Sequence, residues 1–343
     1  MRRLPILATA LLVSASGVRA DVPNIVVDIP PVFSLVSSVM QGVGTPKLLL
    51  RGNESPHNFA LRPSQRRDLG QADIIFWIGE GLTPWLEKAQ ASLTQTFISV
   101  ALGKQTGVVQ LSFREGAFFE AHDEHDEHDE HDGHDEVNGH TEHNHAETHE
   151  NAAAHDGKDH QDHAGHDHSG LDPHFWLDPE NAIHWIYTIA DILSQTDPEN
   201  AGTYYANATR TKASLELLNK NIAQQMAPHR AERFLIVHDA FQYFEARFGL
   251  AAQGAISDGH AAPPSAARIL AIRKLMQDQK ISCVFAEPGY NAKLLDNLIS
   301  ETSVRLKQLD PLGAGLPLDH TLYEAVLQNM ADMMVACFTN DEG

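Results

Sequence analysis

Short apolar runs alternate with amphipathic stretches along most of the chain, a pattern that predicts βα units built around a largely parallel sheet. Strands are expected at residues 24–29, 47–50, 73–78 and 97–100, with helices at 31–42, from Pro63 onward, and at 84–93. Pro63 and Pro84 stand where a missing N–H does least harm, at a helix start. A compact aromatic segment, 171–179, precedes a helix at 180–193. Residues 198–226 then carry no internal proline and read as one long helix of about 28 residues, roughly 42 Å. The alternation resumes with strands at 233–237, 281–285 and 304–309, and helices at 240–248, 265–279, 291–300 and 322–337. The expected fold class is α/β: two Rossmann-like βα lobes joined by one long rigid helix. The lobes span 21–196 and 229–343, with the linking helix in 197–228.

One segment breaks this pattern. Residues 120–168 hold 14 of the 21 histidines and 17 acidic side chains, with Lys158 as the single base. His122, His125, His128, His131 and His134 recur every third residue, followed by His140, His143 and His145. With almost no apolar side chains, this stretch cannot offset the entropy of ordering and is expected to be disordered. Imidazoles flanked by carboxylates suit weak, fast capture of Zn, Cu or Ni ions. The alternative is a solvated acidic spacer, for which histidine is a poor choice. The chain as a whole carries a formal charge of −21, which excludes a nucleic-acid binder because nothing would neutralise phosphates.

The N-terminus adds a compartment. Arg2 and Arg3 precede an apolar run over 4–16, and Val18-Arg19-Ala20 fits a small-residue cleavage site. Residues 1–20 therefore read as a signal peptide; the alternative, an uncleaved anchor, has a run short of the roughly 20 residues a bilayer needs. Export favours oxidation of Cys283 and Cys337, against the alternative of two buried thiols.

Seven histidines lie outside the insert. His57 falls in the loop after the second strand, His238 directly after the strand at 234–237, and His174 in a segment stiffened by prolines and aromatics. Positions outside the carboxyl ends of parallel strands line the crevice where α/β proteins bind ligands. His184, His229 and His320 read as structural or exposed. His260 lies in a loop that allows an auxiliary role, and Glu287 stands at a strand end where it could orient a ligand histidine.

The residues around these histidines resemble a known family. Pro56-His57-Asn58-Phe59-Ala60-Leu61-Arg62-Pro63-Ser64, Asp172-Pro173-His174-Phe175-Trp176-Leu177-Asp178-Pro179 and Val237-His238-Asp239-Ala240-Phe241-Gln242-Tyr243-Phe244 are similar to the three ligand segments of periplasmic solute-binding proteins (ZnuA type, cluster A-I) of high-affinity zinc ABC importers. Phe285-Ala286-Glu287-Pro288 and Leu309-Asp310-Pro311-Leu312-Gly313 resemble later motifs, in the right order. The resemblance implies Zn(II), the transported ligand, held in the interlobe cleft by His57, His174 and His238. The fourth position goes to water or Asp310. It also implies a disulfide between Cys283 and Cys337, a monomer in the periplasm with no catalytic activity, and an inner-membrane zinc ABC permease with its cytoplasmic ATPase as partner. A periplasmic metallochaperone is a further candidate partner. Two alternatives stay open: a zinc buffer or chaperone without a transporter, and a zinc hydrolase, which would also use three histidines and water. No His-Glu-x-x-His helix or serine nucleophile elbow favours the hydrolase.

Overall fold

The structure is a computed structural model that describes residues 22–51, 54–114, 118–119, 170–257, 263–300 and 302–340. The signal segment, the insert and its histidines, and His260 lie outside the described residues. The first half contains β1 (Ile25–Val27), α1 (Pro30–Val39), β2 (Lys47–Leu48), α2 (Pro63–Leu69), β3 (Ile74–Trp77), α3 (Pro84–Ala91) and β4 (Ile98–Ala101). After the insert come α4 (Pro179–Thr196) and α5 (Ala201–Met226). The second half contains β5 (Phe234–His238), α6 (Gln242–Phe248), β6 (Ala255–Ser257), α7 (Ala266–Asp278), β7 (Cys283–Ala286), α8 (Ala292–Ile299), β8 (Arg305–Gln308) and α9 (Leu322–Thr339). Each half forms a four-stranded parallel sheet, in the orders β2-β1-β3-β4 and β6-β5-β7-β8.

Strict alternation along the strands sorts their side chains into layers. Ile25 and Val27 of β1, and Phe234 and Ile236 of β5, enter one core shared with residues of α1, α4, α5 and α9. Val26 enters a separate cluster with Leu69 of α2 and Leu86 of α3. Leu235 and Val237 enter another with Ile272 of α7 and Leu295 of α8. Both sheets thus press one face onto the same helical layer. The long helix is part of that layer and does not cross open solvent. The Cys283–Cys337 disulfide pins α9 to β7, with Cα atoms 6.2 Å apart and both residues fully buried.

Four features differ from the sequence expectation. β6 was not anticipated: three residues, Ala-Ile-Ser, are too few to show a period. The long helix starts at Ala201, after a separate single turn at Pro198–Asn200, because the Pro198 ring is best tolerated in a first turn. His238 is the last residue of β5 and does not follow it. β1, β2 and β3 are also shorter than their apolar runs, although Leu49 N and Leu50 N still donate to Val27 O and Asp28 O beyond the paired stretch (2.9 Å each).

Candidate metal centre

In each sheet the chain reverses its direction of winding beside the central pair, β1/β3 and β5/β7, and the crevice opens at the strands' carboxyl ends there. In the first sheet this crevice is closed. Asp28, directly after β1, accepts from Ile29 N (2.8 Å) and Ile78 N (2.8 Å), the latter just past β3. In the second sheet it holds His238 at the end of β5 and Glu287 just past β7. His238 Nδ1 and Glu287 Oε2 are 2.9 Å apart. Burial pushes the Glu287 carboxyl up, but contact with His238, reinforced by His174, holds it below its ordinary range.

His174 is reached differently. Asp172 turns the chain by accepting from His174 N (3.0 Å), and the same oxygen lies 2.6 Å from His174 Nδ1. Both residues are almost fully buried. Burial pushes the Asp172 carboxyl up to about 7, and the His174 N–H and the Arg114 guanidinium limit the rise. A single helical turn, Phe175–Leu177, follows, fixed by Trp176 Nε1 donating to Pro311 O (2.8 Å) across the cleft. Asp178 then caps α4 by accepting from Glu180 N. It also receives both arms of Arg247 at 2.7 Å.

His57 sits in the polar loop between β2 and α2. Trp85 Nε1 donates to Pro56 O (2.7 Å), and the Phe59 ring packs against the Trp85 ring at 5.0 Å between centroids. The loop is closed at its base by the Arg62–Glu54 ion pair.

These three elements bring His57, His174 and His238 together. Their ring centroids are 5.5, 5.5 and 5.1 Å apart, and one potential ligand nitrogen from each lies within 4.8 Å of the others. Tetrahedral zinc with Zn–N bonds of about 2.0–2.1 Å places its nitrogens about 3.3 Å apart, so adjustments of no more than about 1.5 Å close the set on an ion. The cluster lines a cavity of about 220 Å³ between the two sheets' crevice ends. A carboxylate on Nδ1 selects the tautomer that presents Nε2 as a ligand and raises its basicity. Both His174 and His238 have such a partner.

Asp310 lines the same cavity but lies outside that close group of three. Its oxygens accept from Leu312 N (3.0 Å), Gly313 N (2.8 Å) and Ala314 N (2.6 Å), which shapes the turn after β8. The structure places Glu287 where the sequence suggested, against His238. The role of Asp172 is one that sequence reasoning missed; its spacing two residues before His174 is the available signal. His184 lies on α4, His229 packs against Phe338 at 5.5 Å, and His320 Nε2 meets the Gln41 amide of the α1 end at 3.3 Å.

The sequence matches the family model described as zinc-uptake complex component A, periplasmic, over residues 25–337. The high-affinity zinc uptake system protein ZnuA of Brucella suis is 40% identical over 335 residues, 97% of each chain. A crystal structure of ZnuA superimposes with a TM-score of 0.66 at 23% identity, over 91% of this chain and 99% of that one. The solute-binding protein FpvC of Pseudomonas aeruginosa, in complex with Mn2+, gives 0.71 at 17%, over 93% and 99%. This chain belongs to the family of periplasmic zinc-uptake complex component A.

Proposed function

We propose that the protein is the periplasmic solute-binding component of a high-affinity zinc importer, taking up Zn(II) at His57, His174 and His238. The observation that carries this reading is the convergence of three imidazoles, two of them held by carboxylates, the buried Asp172 and the half-buried Glu287. Neutral nitrogen donors suit zinc, while harder ions such as manganese favour oxygen. The fourth position goes to water, since both Asp310 oxygens already accept backbone N–H groups. The protein acts as a carrier and not a catalyst: the nearest carboxylates, Asp172 and Glu287, are turned onto imidazoles and are not placed to activate a water. Zinc then passes to an inner-membrane permease driven by a cytoplasmic ATPase. Residues 1–20 direct export to the periplasm, and no described helix is long and apolar enough to cross a membrane. The insert 120–168 gathers ions at lower affinity.

Competition calorimetry with Zn(II) and Mn(II) on the mature chain tests this. One tight zinc site that manganese does not displace is expected, lost in His57→Ala, His174→Ala and His238→Ala while weaker sites persist. Tight binding that survives in all three variants would move the site out of the cleft.

A further inference from the structure

The root of the insert is itself a built structure, and it reaches both ligand-bearing segments of the cleft. The outgoing stem pairs with the returning one. Asp172 N donates to Leu111 O (2.8 Å), Phe113 N donates to Gly170 O (3.1 Å), and Ser112 and Leu171 form an antiparallel bridge. Two residues beyond this ladder lies His174. The outgoing stem carries Arg114, whose side chain is only 16% exposed. Its Nε donates to both Asp239 oxygens (3.0 and 3.2 Å), and its two terminal nitrogens reach the Glu245 oxygens at 2.8 and 3.0 Å. Asp239 is the residue after His238. Tyr243 Oη, on α6, donates to Asp172 O and accepts from Leu111 N, both at 2.9 Å. Beyond Arg114 the stem continues onto the second sheet's edge: Phe118 bridges Gly254, and Phe119 N donates to Gln253 O (3.1 Å). The guanidinium carbon lies 3.9 Å from the Phe119 ring centroid.

We propose that Arg114 is a positioning residue of the metal site: it ties the strand leading to His174 to Asp239 behind His238, and so fixes the separation of those two imidazoles. The proposal rests on the zinc reading above. A planar fork with several charge-assisted bonds in a water-poor setting fixes orientation as well as distance. A lysine at the same place keeps the charge but offers a single point of attachment. Pulling His174 away from His238 to release an ion therefore works against this clamp. Arg233, at the opposite end of β5 from His238, donates to Gln279 O (3.2 Å) and Gln279 Oε1 (2.6 Å) and touches neither ligand's segment, so it serves as the control.

The test uses the full mature chain loaded with one equivalent of zinc and mixed with excess chelator, and in parallel loaded with Co(II) for its visible bands. Arg114→Lys is expected to release zinc roughly ten-fold faster and to shift the Co(II) bands, while Arg233→Lys keeps the wild-type rate and spectrum. The melting temperature of each metal-free variant is recorded beside these. Should Arg114→Lys melt below the assay temperature, the combination Arg114→Met, Asp239→Asn and Glu245→Gln, which removes all three charges together, is read in its place with the same expectation. Wild-type release and bands in Arg114→Lys overturn the proposal, as does an equal change in Arg233→Lys, which would mean general loosening. A wild-type chain with no tight site overturns the zinc reading as well, whereas tight wild-type binding with an unaltered Arg114→Lys overturns the clamp alone.

Discussion

The Cys283–Cys337 bridge closes a loop of 54 residues' separation that contains Glu287, β8, Asp310 and most of α9. Replacing both cysteines by alanine frees that loop in the unfolded chain. In the chain-entropy account the loss is T multiplied by 2.1 + 1.5R ln n cal/mol/K, which for n of about 55 gives about 4 kcal/mol at 25 °C. The two sulfurs are fully buried, so lost packing adds to this. The shared core favours a single cooperative transition, so urea unfolding of the metal-free protein, followed by tryptophan fluorescence, reads the difference directly. The midpoint should fall, and the slope should rise because the freed loop lets the unfolded chain expose more surface. A loss under about 2 kcal/mol would refute the reasoning and mean that the unfolded chain is already compact around this loop.

The remaining predictions concern the site and its support. Glu287→Ala should weaken zinc binding by roughly 10–100-fold by releasing the His238 ring; unchanged affinity in calorimetry would remove Glu287 from the site. Burial pushes the Asp28 carboxyl from 3.8 up to about 7, so the folded state holds a proton that the unfolded chain has lost. The stabilisation from this group is complete below about pH 4 and declines by about 1.4 kcal/mol per pH unit until pH passes about 7. Asp28→Asn should therefore flatten the stability profile over that window, and parallel profiles would contradict the assignment. At Gly103, a Cβ would run into the Phe175 ring and sit 3.0 Å from Ile78 O. Gly103→Ala should cost about 1–3 kcal/mol by overpacking, seen as a lower melting temperature; an unshifted melt would show that the Phe175 turn yields freely.

Much of this architecture was legible in the sequence, because it rests on runs such as Ile74–Trp77 and Phe234–His238 that are buried on both faces and read as continuous apolar segments. Proline marked the starts of α2 and α3. β6 escaped because its pairing is decided by β5 and not by its own three side chains. The ligand histidines were legible as residues in strand-end loops, and the flanking motifs sharpened them. What the sequence did not disclose was the support behind them. Asp172 can be read from its spacing to His174, but Arg114 meets Asp239 and Glu245 across more than 120 positions. No local pattern carries that contact. The equivalence of the two crevices was equally hidden, since one ends in an aspartate that grips backbone and the other in a histidine.

That inequality gives the two sides of the cleft different mechanical characters. With Asp28 sealing the first crevice, the first half of the chain cannot present a ligand from a strand end and offers His57 from a surface loop. The second half offers His238 from the stiffest place it has, the terminus of a central strand. An incoming ion thus meets a fixed anvil and a pliant jaw. The layer of helices beneath both sheets leaves little room for the halves to swing as rigid bodies.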